Sequence, residues 1–162
     1  MLHLAKAHWQ AIRAHAEQTY PQECCGLLLG QTASTGDETI RTVVELWTAE
    51  NAWNPEAAAL ISDLLSQPQL ANSKRDRYWI DPQEMLAAMK YGRDRQLDII
   101  GVYHSHPDHP AVPSECDRAI AWPHYSYIIV SVSQRSAQDL LSWNLDQDHA
   151  FQAEPLIYSE SS

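Results

Sequence analysis

The stretch Ile99–Asp117, IIGVYHSHPDHPAVPSECD, constrains this chain more than any other. Ile99 to Tyr103 is an apolar run of strand length, and it ends in two histidines, His104 and His106. Side chains on a strand alternate faces, so residues two apart point the same way and both imidazoles can reach one point in space. Pro107, Pro110 and Pro113 then force an irregular loop, because proline fixes φ and restricts the residue before it. Ser114 follows, with Asp117 three residues on, at the start of a predicted helix over ECDRAIAW. Each piece has a purely structural reading. His-x-His pairs occur on ordinary strands, Ser-x-x-Asp fits an N-cap with a first-turn acid, and His-Pro ends a strand. On consecutive elements they say more. Two imidazoles and one carboxylate make three protein ligands, the number a catalytic zinc uses when its fourth position is kept for water.

A chain of 162 residues suits one domain with a real core, so residues 1–162 are expected to form a single domain. It is 44% hydrophobic and 20% charged, ordinary for a globular protein, and no apolar run approaches the length of a membrane span. The first residues, MLHLAKAHWQAIRAHAEQTYPQE, lack the uncharged apolar centre of a signal peptide, and a cytoplasmic location is expected. The net charge of −10 argues against a nucleic-acid or anionic-membrane surface, both of which need clustered Lys and Arg. There are three cysteines, with Cys24 and Cys25 adjacent and no C-x-x-C, so reduced thiols are expected rather than a disulfide or a zinc finger.

Leu4, Ala7, Ala11, Ile12 and Ala16 recur near helical spacing, which predicts a first helix over residues 3–19 that Tyr20-Pro21 breaks. Gly26–Gly30 reads as a short buried strand, residues 31–38 as a turn, and Thr39–Thr48 as a second strand. Residues 49–78 are the least regular part, with a helix-like patch at Glu56–Leu65 and a polar linker, QPQLANSKRDR. Asp81-Pro82-Gln83-Glu84 starts a helix expected to reach about Gln96 with Met85, Leu86 and Met89 facing inward. Tyr125–Val132 is predicted as a buried strand, Leu140–Leu145 as a half-exposed one, and Phe151–Tyr158 as a last edge strand. This order predicts an α/β fold, a layered mixed β-sheet flanked by helices.

H-S-H-P, a Pro-rich loop and then S-x-x-D together resemble the JAMM signature of the MPN-domain (Mov34/PAD-1) metallopeptidases, in their small prokaryotic single-domain form. The resemblance runs over roughly residues 3–146 and implies the family's cytidine-deaminase-like architecture. It implies one Zn²⁺ held by His104, His106 and Asp117, and Ser114 donating to a developing oxyanion. It also implies a catalytic glutamate ahead of a Cys-Gly-Leu strand, and P-Q-E-C-C-G-L-L-L-G puts Glu23 there. An acid at the mouth of a buried strand can be desolvated and its pKa raised, whereas a solvated turn acid would keep its ordinary value. Residues 49–78 fall where the family has a variable insertion. The implied substrate is the C-terminal Gly-Gly tail of a ubiquitin-like or sulfur-carrier protein, and the activity a peptidase or isopeptidase. A non-catalytic binding module on the same scaffold is the alternative. A zinc deaminase would pair H-x-E with a later P-C-x-x-C, a combination absent here, and the strand order does not suggest the barrel of a two-His-one-carboxylate iron oxygenase.

Overall fold

The structure, a computed structural model, describes residues 1–62 and 73–160. Its elements are β1 (Leu2–Ala5), α1 (Lys6–Thr19), β2 (Cys25–Thr35), β3 (Glu38–Ala49), α2 (Pro55–Ser62) and α3 (Pro82–Asp94). Then come β4 (Asp98–Pro107), α4 (Glu115–Ala119), β5 (Ser126–Ser133), β6 (Ser136–Leu145), β7 (Phe151–Glu154) and β8 (Leu156–Ser159). The strands form one mixed sheet in the order β7-β6-β5-β4-β2-β3-β1-β8, flanked by helices as expected of an α/β layered fold.

The sheet is apolar on both faces, and the alternation along β2 and β4 decides which face each residue serves. Leu28, Ile100 and Tyr103 join Ile128 and Val130 against Ile12 and Ala16 of α1. Leu27, Val102 and Tyr127 join Tyr78, Ile80 and Ala88 of α3 on the other side. Glycine is required where β4 meets β5: a Cβ on Gly101 would lie 2.2 Å from the backbone oxygen of Ser126. Backbone cannot yield as a side chain can, so Gly101→Ala should destabilise the protein by about 3 kcal/mol. Thermal unfolding would show this as a midpoint lower by roughly 6–12 °C.

The two edges of the sheet meet. β7 ends at Glu154, β8 starts at Leu156, and Pro155 alone crosses from one edge to the other, its carbonyl accepting from the Leu2 amide at 2.9 Å. At this seam the buried Glu154 carboxylate accepts from the N-terminal amine at 3.1 Å, Ser142 at 2.9 Å, Asn144 at 3.3 Å and Arg41 at 3.4 Å.

Several elements differ from the sequence expectations. Residues 2–5 are a strand rather than the start of α1, and β1 pairs in parallel with β8 and with Arg41 and Thr42 of β3. Most of the expected 31–38 turn is strand: Gln31–Thr35 pair with Glu38–Thr42, and only residues 36 and 37 turn the chain. Leu86 and Met89 are exposed, because α3 approaches the sheet through its small residues Ala88 and Gly92. The expected last strand is two strands on opposite edges. Of the irregular region, α2 occupies part of the helix-like patch, and residues 63–72 lie outside the described residues.

Candidate metal centre

β4 delivers the histidines. His104 and His106 lie two apart on it, on the face that also carries Val102, and both are buried. Their Nε2 atoms are 3.1 Å apart. The Pro-rich loop fixes the tautomer of the neutral ring: with the Pro110 carbonyl 2.8 Å from His106 Nδ1, that nitrogen donates and Nε2 then carries the lone pair. Trp143 of β6 holds the same loop through a 3.0 Å bond from Nε1 to the Ala111 carbonyl.

Asp117 arrives on α4, and here the structural and the chemical readings of Ser-x-x-Asp meet in one side chain. Ser114 is the N-cap: its Oγ accepts from the Asp117 amide at 3.0 Å, and Asp117 Oδ2 accepts from the Ser114 amide at 2.9 Å. The same Oδ2 lies 3.1 Å from His106 Nε2 and 3.3 Å from His104 Nε2. The helix cap therefore aims the carboxylate at both imidazoles.

Glu23 enters from the neighbouring strand. β2 pairs Cys25 with His104, and the register continues outward: the Cys24 amide donates to Ser105 Oγ at 2.8 Å and the Ser105 amide to the Cys24 carbonyl at 3.2 Å. One residue further, Glu23 is 4% exposed and places a carboxylate oxygen within 4.8 Å of a ring nitrogen of each histidine. Its Oε1 is buried with no hydrogen-bond partner among the described residues.

Burial decides the electrostatics. It pushes the Glu23 carboxyl well above its ordinary value, the Asp117 charge adds to this, and Arg77 only partly opposes it. Burial also pushes Asp117 upward, but the two imidazoles outweigh it and hold this carboxyl far below the usual range. His104 is lowered by burial, which Asp117 does not fully offset. For His106 burial again acts downward, but the hydrogen bond and charge of Asp117 prevail and raise it. Burial pushes the Cys24 thiol up to about 12 and the Cys116 thiol to about 11, so neither is a thiolate nucleophile at neutral pH.

The donor set fits a small divalent cation. Three potential ligand atoms converge at 3.1–3.3 Å, close to the edge of a tetrahedron whose centre lies about 2.0–2.1 Å from nitrogen and oxygen ligands. Burying that much donor density without a cation would be costly. Asp117 Oδ2 lies against both imidazoles, and the Glu23 carboxylate faces them from within 4.8 Å.

All five residues singled out in the sequence, Glu23, His104, His106, Ser114 and Asp117, are thus brought to one place. His109, which matched no motif position, is exposed, and Cys116 packs with Trp53 and Ala57. Sequence reasoning missed three neighbours. Ser105 bonds the Cys24 amide, Tyr78 stacks on His104 with ring centroids 4.4 Å apart, and Asn51 bonds the Glu23 carbonyl at 3.0 Å. Ser105 had a signal, since the residue between two same-face histidines must face the opposite way. Tyr78 and Asn51 lie in the irregular region and had none.

Residues 5–146 match the family described as prokaryotic homologs of the JAB domain, and the chain belongs to that family. It is 32% identical over 139 residues to a curated protein named desampylase from Haloferax volcanii, covering 83% of each chain. Among solved structures it resembles a protein from Desulfitobacterium hafniense, with TM-score 0.74, 29% identity, and coverage of 99% of this chain and 94% of the other. A JAB1/MPN domain protein from Archaeoglobus fulgidus, at 16% identity and TM-score 0.52 over 98% of both chains, shares the fold.

Proposed function

We propose that this protein is a zinc-dependent peptidase or isopeptidase, acting on the amide bond at the C-terminal Gly-Gly tail of a ubiquitin-like or sulfur-carrier protein in the cytoplasm. The observation that carries the reading is the convergence of His104, His106 and Asp117 donor atoms with an unpartnered Glu23 oxygen facing them. Membership in the JAB family and similarity to a desampylase support it.

His104, His106 and Asp117 would hold the zinc, which when bound acidifies a coordinated water and polarises the scissile carbonyl. Glu23 has a raised pKa because it is buried, so it can take a proton from the attacking water and release it to the leaving amine. Ser114 Oγ accepts from the Asp117 amide, and its own hydrogen is available to donate to the developing oxyanion. An extended tail would bind by adding a strand at a sheet edge, where glycine lets the backbone approach closely.

Metal content of the purified, zinc-supplied protein is the test, followed by incubation with Gly-Gly-tailed carriers extended by an amide-linked segment. About one zinc per chain together with release of the segment supports the reading. Absence of stoichiometric metal overturns it, and tight carrier binding without turnover would make the chain a docking module.

A further inference from the structure

We propose that Asn51 is a positioning residue that sets the directions of both Glu23 and the aromatic wall on His104, a role that rests on the catalytic reading above. Asn51 follows β3, is 8% exposed, and uses the whole hydrogen-bonding capacity of its amide on backbone. Its Nδ2 donates to the Glu23 carbonyl at 3.0 Å and the Arg77 carbonyl at 2.9 Å. Its Oδ1 accepts from the amides of Trp53 at 3.1 Å and Trp79 at 3.2 Å. One side chain thus joins three segments distant in sequence.

Two of these segments carry the chemistry. No hydrogen bond holds the Glu23 carboxylate among the described residues, so its direction is fixed from its backbone. That backbone is clamped on one side by Asn51 and on the other by the Lys74 carbonyl, which accepts from the Glu23 amide at 2.7 Å. Arg77 and Trp79 flank Tyr78, so the two Asn51 bonds to them bracket the ring that stacks on His104 with an interplanar angle of 23°. The Ala52 amide, donating to the Trp79 carbonyl at 2.8 Å, continues the same bracket. Without these bonds Glu23 and Tyr78 can each shift, and the His104 ring on which Tyr78 stacks can tilt with it, while the backbone of β4 and α4 keeps the three ligands at the site. Misplacement of about 1 Å costs on the order of 100-fold in turnover when a catalytic group depends on near-contact geometry.

The experiment compares zinc-loaded wild type, Asn51→Ala, Asn51→Asp and Leu140→Ala, a core truncation elsewhere in the sheet. Asn51→Asp keeps the volume and both acceptor bonds but loses the donors, and so remains informative if the alanine variant fails to fold. The substrate is a Gly-Gly-ended peptide in amide linkage to aminomethylcoumarin, with Glu23→Gln as the control for the catalytic reading. For the Asn51 variants kcat should fall roughly 10–100-fold, with KM within about twofold of wild type. Zinc affinity should stay within about threefold, and Leu140→Ala should keep its kcat below its unfolding midpoint. The visible spectrum of the cobalt-loaded protein, which reports ligand geometry, should change in the Asn51 variants and not in Leu140→Ala. An unchanged kcat and cobalt spectrum in folded Asn51→Asp overturns the proposal. So does an equal kcat loss in Leu140→Ala. If wild type and Glu23→Gln cleave equally or not at all, the catalytic reading fails instead, and the cobalt spectrum alone decides whether Asn51 positions the His104 wall.

Discussion

Asp117→Ala should leave the protein without zinc, its affinity reduced by more than roughly 100-fold, since even partners behind the ligands are worth 10–100-fold. Removing this side chain deletes the oxygen that lies 3.1 Å and 3.3 Å from the two imidazoles and also the acceptor of the Ser114 amide. Asp117→Asn separates these roles, because the amide oxygen can still cap α4 while the charge that neutralises the cation is gone. Both variants should therefore lose metal, measured by mass spectrometry on protein dialysed against buffered zinc. Only the alanine variant should lose a further increment of about 1 kcal/mol for the broken cap, read by denaturant unfolding of the metal-free forms. Full zinc occupancy in either variant would mean that Glu23, not Asp117, completes the ligand set.

Glu23→Gln should lower kcat by about 10²–10⁴-fold, the usual range for removing a general acid–base group, while zinc stays bound. The same substitution should stabilise the metal-free protein at neutral pH. The folded-state pKa of Glu23 is raised above its unfolded value, so its favourable contribution exists only while it is protonated and is lost as pH rises. At neutral pH, where the unfolded side chain is ionised, folding must either bury the Glu23 charge or take up a proton, a cost that the neutral amide of glutamine avoids. The gain in midpoint should shrink as pH falls toward the ordinary carboxylate range, where wild type is itself protonated. Differential scanning of chelator-treated protein across that range measures it. A glutamine variant that is less stable than wild type throughout would show that the Glu23 charge is well compensated.

The site was legible in the sequence because its information is local. Alternation along a strand puts His104 and His106 on one face, and a helix cap needs Ser114 and Asp117 three apart whatever the rest of the chain does. Glu23 was legible only through its motif, since what brings it to the histidines is the pairing of Cys25 with His104, a contact between distant segments. What could not be read follows the same division. Leu4 sits at helical spacing from Ala7 and Ala11, and only its pairing with Tyr158 makes it a strand residue. Gln31–Thr35 are exposed and, apart from Ala33, polar, and their ladder with β3 overrides a turn-like composition. Asn51 is one asparagine among many loop-formers until the 23, 53, 77 and 79 backbones surround it. The outward turn of Leu86 and Met89 reflects the same limit, because a helix that packs through alanine and glycine carries no large apolar stripe to announce its buried side.

The crossing at Pro155 orders events during synthesis. β1 is synthesised well before β8, the strand with which it makes its longer ladder of four residue pairs. Translation delivers residues at about 5–20 per second, so the nascent chain holds Glu23, His104, His106 and Asp117 for seconds before Leu2 can find Leu156. Through that interval β1 can pair, among the described residues, only with Arg41 and Thr42, and the rim it shares with β8 is an unprotected template for other chains. A nascent or prematurely terminated chain ending at Pro155 would contain every residue of the metal centre and still be aggregation-prone.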